Sequence, residues 1–199
     1  MEVRERIIEE ATRLFFQYGI RSITMNEIAV SLGISKRTVY ETFKDKTELI
    51  HTCLRDLIRQ RDERSQEVIA SSANVIEAIF TSMQDGIKAI NTINPLFFHD
   101  LKKYYPVIWK TLHEENKEKH YNLTYTQLRK GVNEGLFRKD IHIGIVSKLF
   151  HEQVNLISDE SVFPREQYEL TDLFKNLMIN FVRGISTQKG IDLVDKMLD

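Results

Sequence analysis

Between residues 24 and 48 the chain carries three helix starts and one helix stop. Their spacing admits little but two short helices and the opening of a third. Thr24 and Glu27 make a capping box, in which each side chain satisfies a backbone N–H left over at a helix start. Ile23 before the cap and Ile28 beyond it form a hydrophobic staple. Gly33 ends the helix, because glycine takes the left-handed C′ conformation without a Cβ penalty. Ser35 caps the second helix, where Ile34 and Val39 repeat the staple. Asp45 and Glu48 repeat the box at the head of a third helix that runs into Leu49 and Ile50.

The apolar positions agree with these boundaries. Ile28, Leu32, Ile34, Val39 and Phe43 can converge into a small core. A preceding amphipathic helix, closed at Tyr18-Gly19, supplies Ile7, Ala11, Leu14 and Phe15 at i, i+4, i+7, i+8 spacing. Two short helices joined by a tight glycine turn, the second opening on Lys36 and Arg37, are the layout of a helix-turn-helix. That unit lays its second helix in the major groove of DNA.

The motifs of this region resemble the DNA-binding domain of the TetR family of bacterial transcription regulators. They are Phe15-Phe16-Gln17-Tyr18-Gly19, Thr24 through Ile28-Ala29, Gly33-Ile34-Ser35, Thr38-Val39-Tyr40-Glu41-Thr42-Phe43 and Lys46-Thr47-Glu48-Leu49. Each dipeptide is weak alone; their joint order is specific. The helical spacing along the chain predicts an all-α protein of about nine helices, in keeping with the helical architecture the resemblance implies. Residues 1–47 would form a three-helix DNA-binding domain, and 48–199 a helical domain for effector binding and dimerisation. The implied partners are double-stranded operator DNA, a small-molecule effector and a second copy of the chain.

On the recognition helix, Lys36, Arg37, Thr38 and Thr42 are placed to meet DNA: Arg37 suits guanine, Thr42 a thymine methyl or a phosphate. The resemblance implies that the Tyr40 hydroxyl and Lys46 hold phosphates, with Thr24 capping its helix first and touching phosphate second. Lys44 adds charge. Glu41 departs from expectation, since an acid there repels phosphate unless it pairs with Arg37 or Lys44 or accepts from a cytosine amino group. The whole chain carries a net charge of −1, but residues 33–46 carry a local balance of +2, and phosphate attraction acts over about a Debye length.

Beyond residue 45 the pattern is helical throughout, over 45–66, 75–91, 96–104, 107–134, 142–158 and 166–186, with an amphipathic tail at 190–198. No strand alternation or internal repeat interrupts it. Leu170, Leu173, Phe174, Leu177, Met178, Phe181, Val182 and Ile185 make a wide apolar stripe, one side of which should face the body of the domain; the resemblance implies that the excess builds a four-helix dimer interface with 142–158, the alternative being a helix fully buried in a monomer. Aromatic residues crowd 80–150, and Phe80, Trp109 and Tyr125 are the expected pocket residues; for any one of them a core position is the plainer reading.

Other functions find little support. No nucleophile elbow, zinc-protease motif or phosphate-binding glycine loop occurs, so no catalytic residue is expected. The six histidines show no metal-ligand spacing, and no cofactor is implied. A lone cysteine, Cys53, fits a reducing cytoplasm and a buried thiol. No apolar run is long enough to span a membrane. The remaining alternatives are an activator, or a helix-turn-helix adaptor that binds protein.

Overall fold

The computed structural model describes residues 2–198. Among them are ten α-helices, against about nine expected: α1 (Val3–Tyr18), α2 (Met25–Leu32), α3 (Lys36–Thr42), α4 (Lys46–Ser71), α5 (Val75–Thr92), α6 (Pro95–Tyr104), α7 (Pro106–Asn133), α8 (Ile143–Ile157), α9 (Leu170–Ile185) and α10 (Gln188–Leu198). The described residues contain no strand, only an isolated bridge between Phe137 and Ser186.

The chain divides into two compact units. Unit 1 is residues 1–64 with 92–115, and unit 2 is 65–91 with 116–199. Each has its own apolar core.

In unit 1, α1, α2 and α3 pack in sequence and α6 returns to α1. Ile7, Ala11 and Phe15 of α1 meet Ile28, Val39, Phe43, Leu49 and Ile50. The same core takes in Phe97 and Leu101 of α6 and Ile108 and Leu112 of α7. The caps are those the sequence specifies. Thr24 accepts from the Glu27 N–H and Glu27 accepts from the Thr24 N–H. Gly33 sits at φ 64°, and Ser35 accepts from the Thr38 N–H. The box at Asp45 is modified. Asp45 accepts from the Glu48 N–H at 2.9 Å, but Glu48 accepts from the Lys44 N–H at 2.8 Å, one residue before the expected donor.

The end of α1 is stitched to α6. Asp100, only 7% exposed, accepts the Arg21 backbone N–H at 2.7 Å. The Asn94 N–H donates to the Phe16 carbonyl at 2.8 Å, and its side-chain amide donates to the Gln17 carbonyl at 3.0 Å. Cys53 is buried beside Ile8, and burial pushes its thiol up to about 11, so it is an inert core residue.

In unit 2, α8 packs on α9 and α9 on α10 around Ile76, Phe80, Leu128, Phe137, Met178 and Val182. Helix α9 begins at Leu170, four residues later than the pattern predicts. The Gln167 and Tyr168 N–H groups both turn back to the Pro164 carbonyl, which spends those residues on a turn. Gly131 lies against the buried Phe137 ring, where a Cβ would come within 2.1 Å of a ring carbon.

Three substitutions at two positions test these cores. Gly131→Ala forces Phe137 out of place and is expected to cost about 1–3 kcal/mol. Asp100→Ala strands the Arg21 N–H and should cost about 1–3 kcal/mol, while Asp100→Asn, which keeps an acceptor, should cost less. Urea denaturation midpoints of the three variants check both.

Candidate nucleic-acid interface and cavity

The residues expected to face a DNA groove stand on α3, a helix held from behind. Val39 is fully buried and Phe43 nearly so, which leaves the opposite face to solvent. Arg37 is 87% exposed at its side chain and pairs with Glu41 at 2.7 Å, one turn along. So Glu41 takes the Arg37 partner that the sequence left open. The pair is exposed and contributes little to stability, so Arg37 can trade it for DNA at small cost. Thr38 shares a 2.8 Å hydroxyl contact with the capping Ser35, and Thr42 donates to the Thr38 carbonyl at 2.8 Å. Tyr40 is 45% exposed, and the Lys36 ammonium lies 5.6 Å from its ring centroid. Lys44 makes no side-chain ion pair among the described residues.

Two expected contact residues also serve the fold. Thr24 caps α2. Lys46 donates from Nζ to the Ile20 carbonyl at 2.6 Å and lies 5.8 Å from the Phe15 ring centroid. Burial lowers its pKa, against the raising pull of Asp100 and Glu27. Its ammonium is turned inward, which the sequence reading did not anticipate.

Unit 2 holds a half-open cavity of about 190 Å³. Its apolar wall is Ile69, Ile79, Leu128, Phe150, Met178 and Phe181, and its polar groups come from Ser65, Ser82, Thr124 and Gln127. The Phe150 and Phe181 rings lie 4.7 Å apart at 41°. Thr124 shares a 3.1 Å contact with His151 Nε2, and burial lowers the His151 pKa, which favours the neutral ring. Gln127 Oε1 is buried and accepts from no donor among the described residues.

The three expected pocket residues lie elsewhere. Phe80 is 1% exposed in the unit 2 core, Trp109 belongs to unit 1 and packs on its core, and Tyr125 stands at the surface beside Tyr121. None of them lines this cavity. Aromatic content alone does not tell a core ring from a cavity ring. The signal that was missed is Thr124 and Gln127, three apart on α7 and so on one face.

Residues 7–53 match the model of a family described as bacterial regulatory proteins, tetR family. The chain is 24% identical over 189 residues to the HTH-type transcriptional regulator YvaF of Bacillus subtilis, covering 94% of this chain and 98% of that one. It is 24% identical over 152 residues to the HTH-type transcriptional repressor KstR2 of Rhodococcus jostii, covering 75% and 74%. A transcriptional regulator from Saccharomonospora viridis, solved in complex with choline, has the same fold at a TM-score of 0.69 and 18% identity, covering 93% of this chain and 98% of that one. Helix order, caps and turn lead to the same place as these matches: over residues 7–53 the chain matches the tetR family of bacterial regulatory proteins.

Proposed function

We propose that the protein is a homodimeric repressor that binds operator DNA through α3 and is released by a small organic effector held in the unit 2 cavity. The observation that carries DNA binding is the exposed polar face of α3, backed by buried Val39 and Phe43. Arg37, Thr38 and Thr42 meet base edges. Lys36, Tyr40, Lys44 and Thr24 meet phosphates, and Lys46 joins them on releasing the Ile20 carbonyl. Residues 1–47 supply the DNA contacts, and 48–199 the effector site and the dimer contacts. The repressor reading is supported by the likeness to KstR2, and the effector reading by the cavity and by the choline-bound neighbour.

A dimer is supported by apolar side chains left on the surface of α8. Ile145, Leu149 and Leu156 are each about half exposed, more than a solitary helix face requires. A second copy covers them and presents two recognition helices at successive major grooves, about 34 Å apart. Effector binding acts through its affinity difference between DNA-competent and DNA-incompetent states. A 10- to 100-fold release needs about 1.4–2.8 kcal/mol of coupling.

Fluorescence anisotropy with DNA from upstream of the protein's own gene, at two salt concentrations, tests the central reading. Tight binding that resists competitor DNA and weakens with salt is expected; binding that is equal for every sequence would defeat operator recognition at that site. Tyr40→Phe should weaken binding to all sequences about 2- to 10-fold. Lys44→Gln should reduce the log–log salt slope by about 1. Leu149→Asp should give a monomer by analytical ultracentrifugation, with operator affinity lost alongside. A dimer that persists would place the interface on another surface.

A further inference from the structure

We infer that Arg21, Lys103 and Tyr104 form a second contact with duplex DNA, holding backbone phosphates beside those that the helix-turn-helix meets. The inference rests on the proposed reading of unit 1 as a DNA-binding module and extends its footprint onto the end of α6.

The three side chains come from the α1–α2 turn and the last turn of α6, and all are exposed. The Arg21 guanidinium donates to the Tyr104 hydroxyl at 2.8 Å and lies 5.0 Å from its ring centroid. The Lys103 ammonium lies 5.4 Å from the same centroid. Two cations are thus gathered on one tyrosine, and neither makes an ion pair among the described residues. Asp100 is buried and bound to the Arg21 backbone N–H, not to its guanidinium. Elsewhere the chain neutralises such groups: Arg13, Arg37, Arg55 and Arg59 each hold a carboxylate at 3.0 Å or less. An aromatic ring steadies a cation but leaves its charge in place. Like charges brought together without an acid repel one another, and an external anion relieves that cost. The dipole of α6 favours Lys103 near its C-terminus. It gives no reason for Arg21, 83 residues from Tyr104 in sequence, to lie there too.

Position names the anion. Arg21 follows Ile20, whose carbonyl holds Lys46, and shares a turn with Thr24, the cap of α2. Lys46 and Thr24 are both phosphate contacts on the proposed reading, so the cluster borders that face. The Arg21 backbone is fixed by Asp100 at 2.7 Å and its side chain by Tyr104, which sets the guanidinium in place before any ligand arrives. Only one of its nitrogens is spent on Tyr104, and the rest of the fork suits phosphate oxygens. The Tyr104 hydroxyl accepts from Arg21, and its own O–H has no acceptor among the described residues, so it can donate to a phosphate as well. A duplex fits better than an acidic protein, because its phosphates run on past the recognition helix along the same surface. Contacts of this kind fix orientation and carry no base information.

A salt series of anisotropy titrations tests the contact, with the full chain on the upstream duplex and on a scrambled duplex of equal length. Arg21→Gln combined with Lys103→Gln should lower the log–log salt slope by about 2 per protomer and weaken binding to both duplexes by the same factor. Arg21→Lys, which keeps the charge, should keep the slope. Lys130→Gln combined with Lys139→Gln removes the same charge from unit 2 and should leave the slope at its wild-type value. A wild-type slope in the Arg21 and Lys103 double variant would overturn the contact and leave the cluster to an acidic protein partner. An equal loss in the unit 2 variant would overturn it as an effect of total charge. A loss with Arg21→Lys as large as with the double variant would show a structural role for Arg21 and overturn it likewise. Each of these leaves DNA binding through α3 standing, whereas wild-type binding that ignores salt would defeat the DNA reading itself.

Discussion

A buried carboxylate holds unit 1 in register. Asp100 lies 79 residues from the backbone N–H it binds, that of Arg21, in the turn that separates α1 from the helix-turn-helix. Around it the Asn94 backbone and side chain tie the last turn of α1, and Lys46 reaches back to the Ile20 carbonyl. Four backbone groups between Phe16 and Arg21 are thus satisfied by residues far along the chain. The turn would otherwise expose polar backbone beside an apolar core, which is where local structure frays. Its geometry sets where α2 starts, and through Gly33 where α3 points.

The local parts of this arrangement are written in the sequence, because caps, staples and glycine stops act over three to five residues. The Thr24 box, the Ser35 cap and the left-handed Gly33 follow from residue type and spacing alone. Glu48 shows the margin of such reasoning: its carboxylate chooses the Lys44 N–H over the neighbouring one, and no local rule separates two donors one residue apart. What spacing cannot reveal is the return of α6 to α1. Phe97, Leu101 and Trp109 carry an apolar pattern that suits either core equally, and only the fold assigns them to unit 1. The same ambiguity applies to the aromatics expected in a pocket: Phe80 fills the unit 2 core, whereas Phe150 and Phe181 line its cavity, and periodicity does not tell these roles apart.

The polar residues of α3 are held loosely and locally. Arg37 with Glu41, Lys36 over the Tyr40 ring and Thr42 on the Thr38 carbonyl all lie within one turn of their partners. Such contacts limit side-chain wandering without committing the groups, since an exposed pair holds by little more than thermal energy. Lys46 differs: half-buried and bonded to a carbonyl, it yields to a phosphate only by giving up a bond that the turn uses. On the proposed reading, DNA contact and the conformation of the α1–α2 turn are linked through one side chain.

Unit 1 is discontinuous in sequence, and this matters before the protein is complete. When residues 1–64 have left the ribosome, the surface awaiting Phe97, Leu101, Ile108 and Leu112 is still bare, and unit 2 segments are made in between. At ~5–20 residues per second the nascent helix-turn-helix waits seconds for its cover. During that interval its apolar flank, rather than its DNA face, governs what the chain meets first. A trigger-type chaperone or slow local translation across 65–91 would thus influence the yield of folded regulator more than any change on the recognition helix.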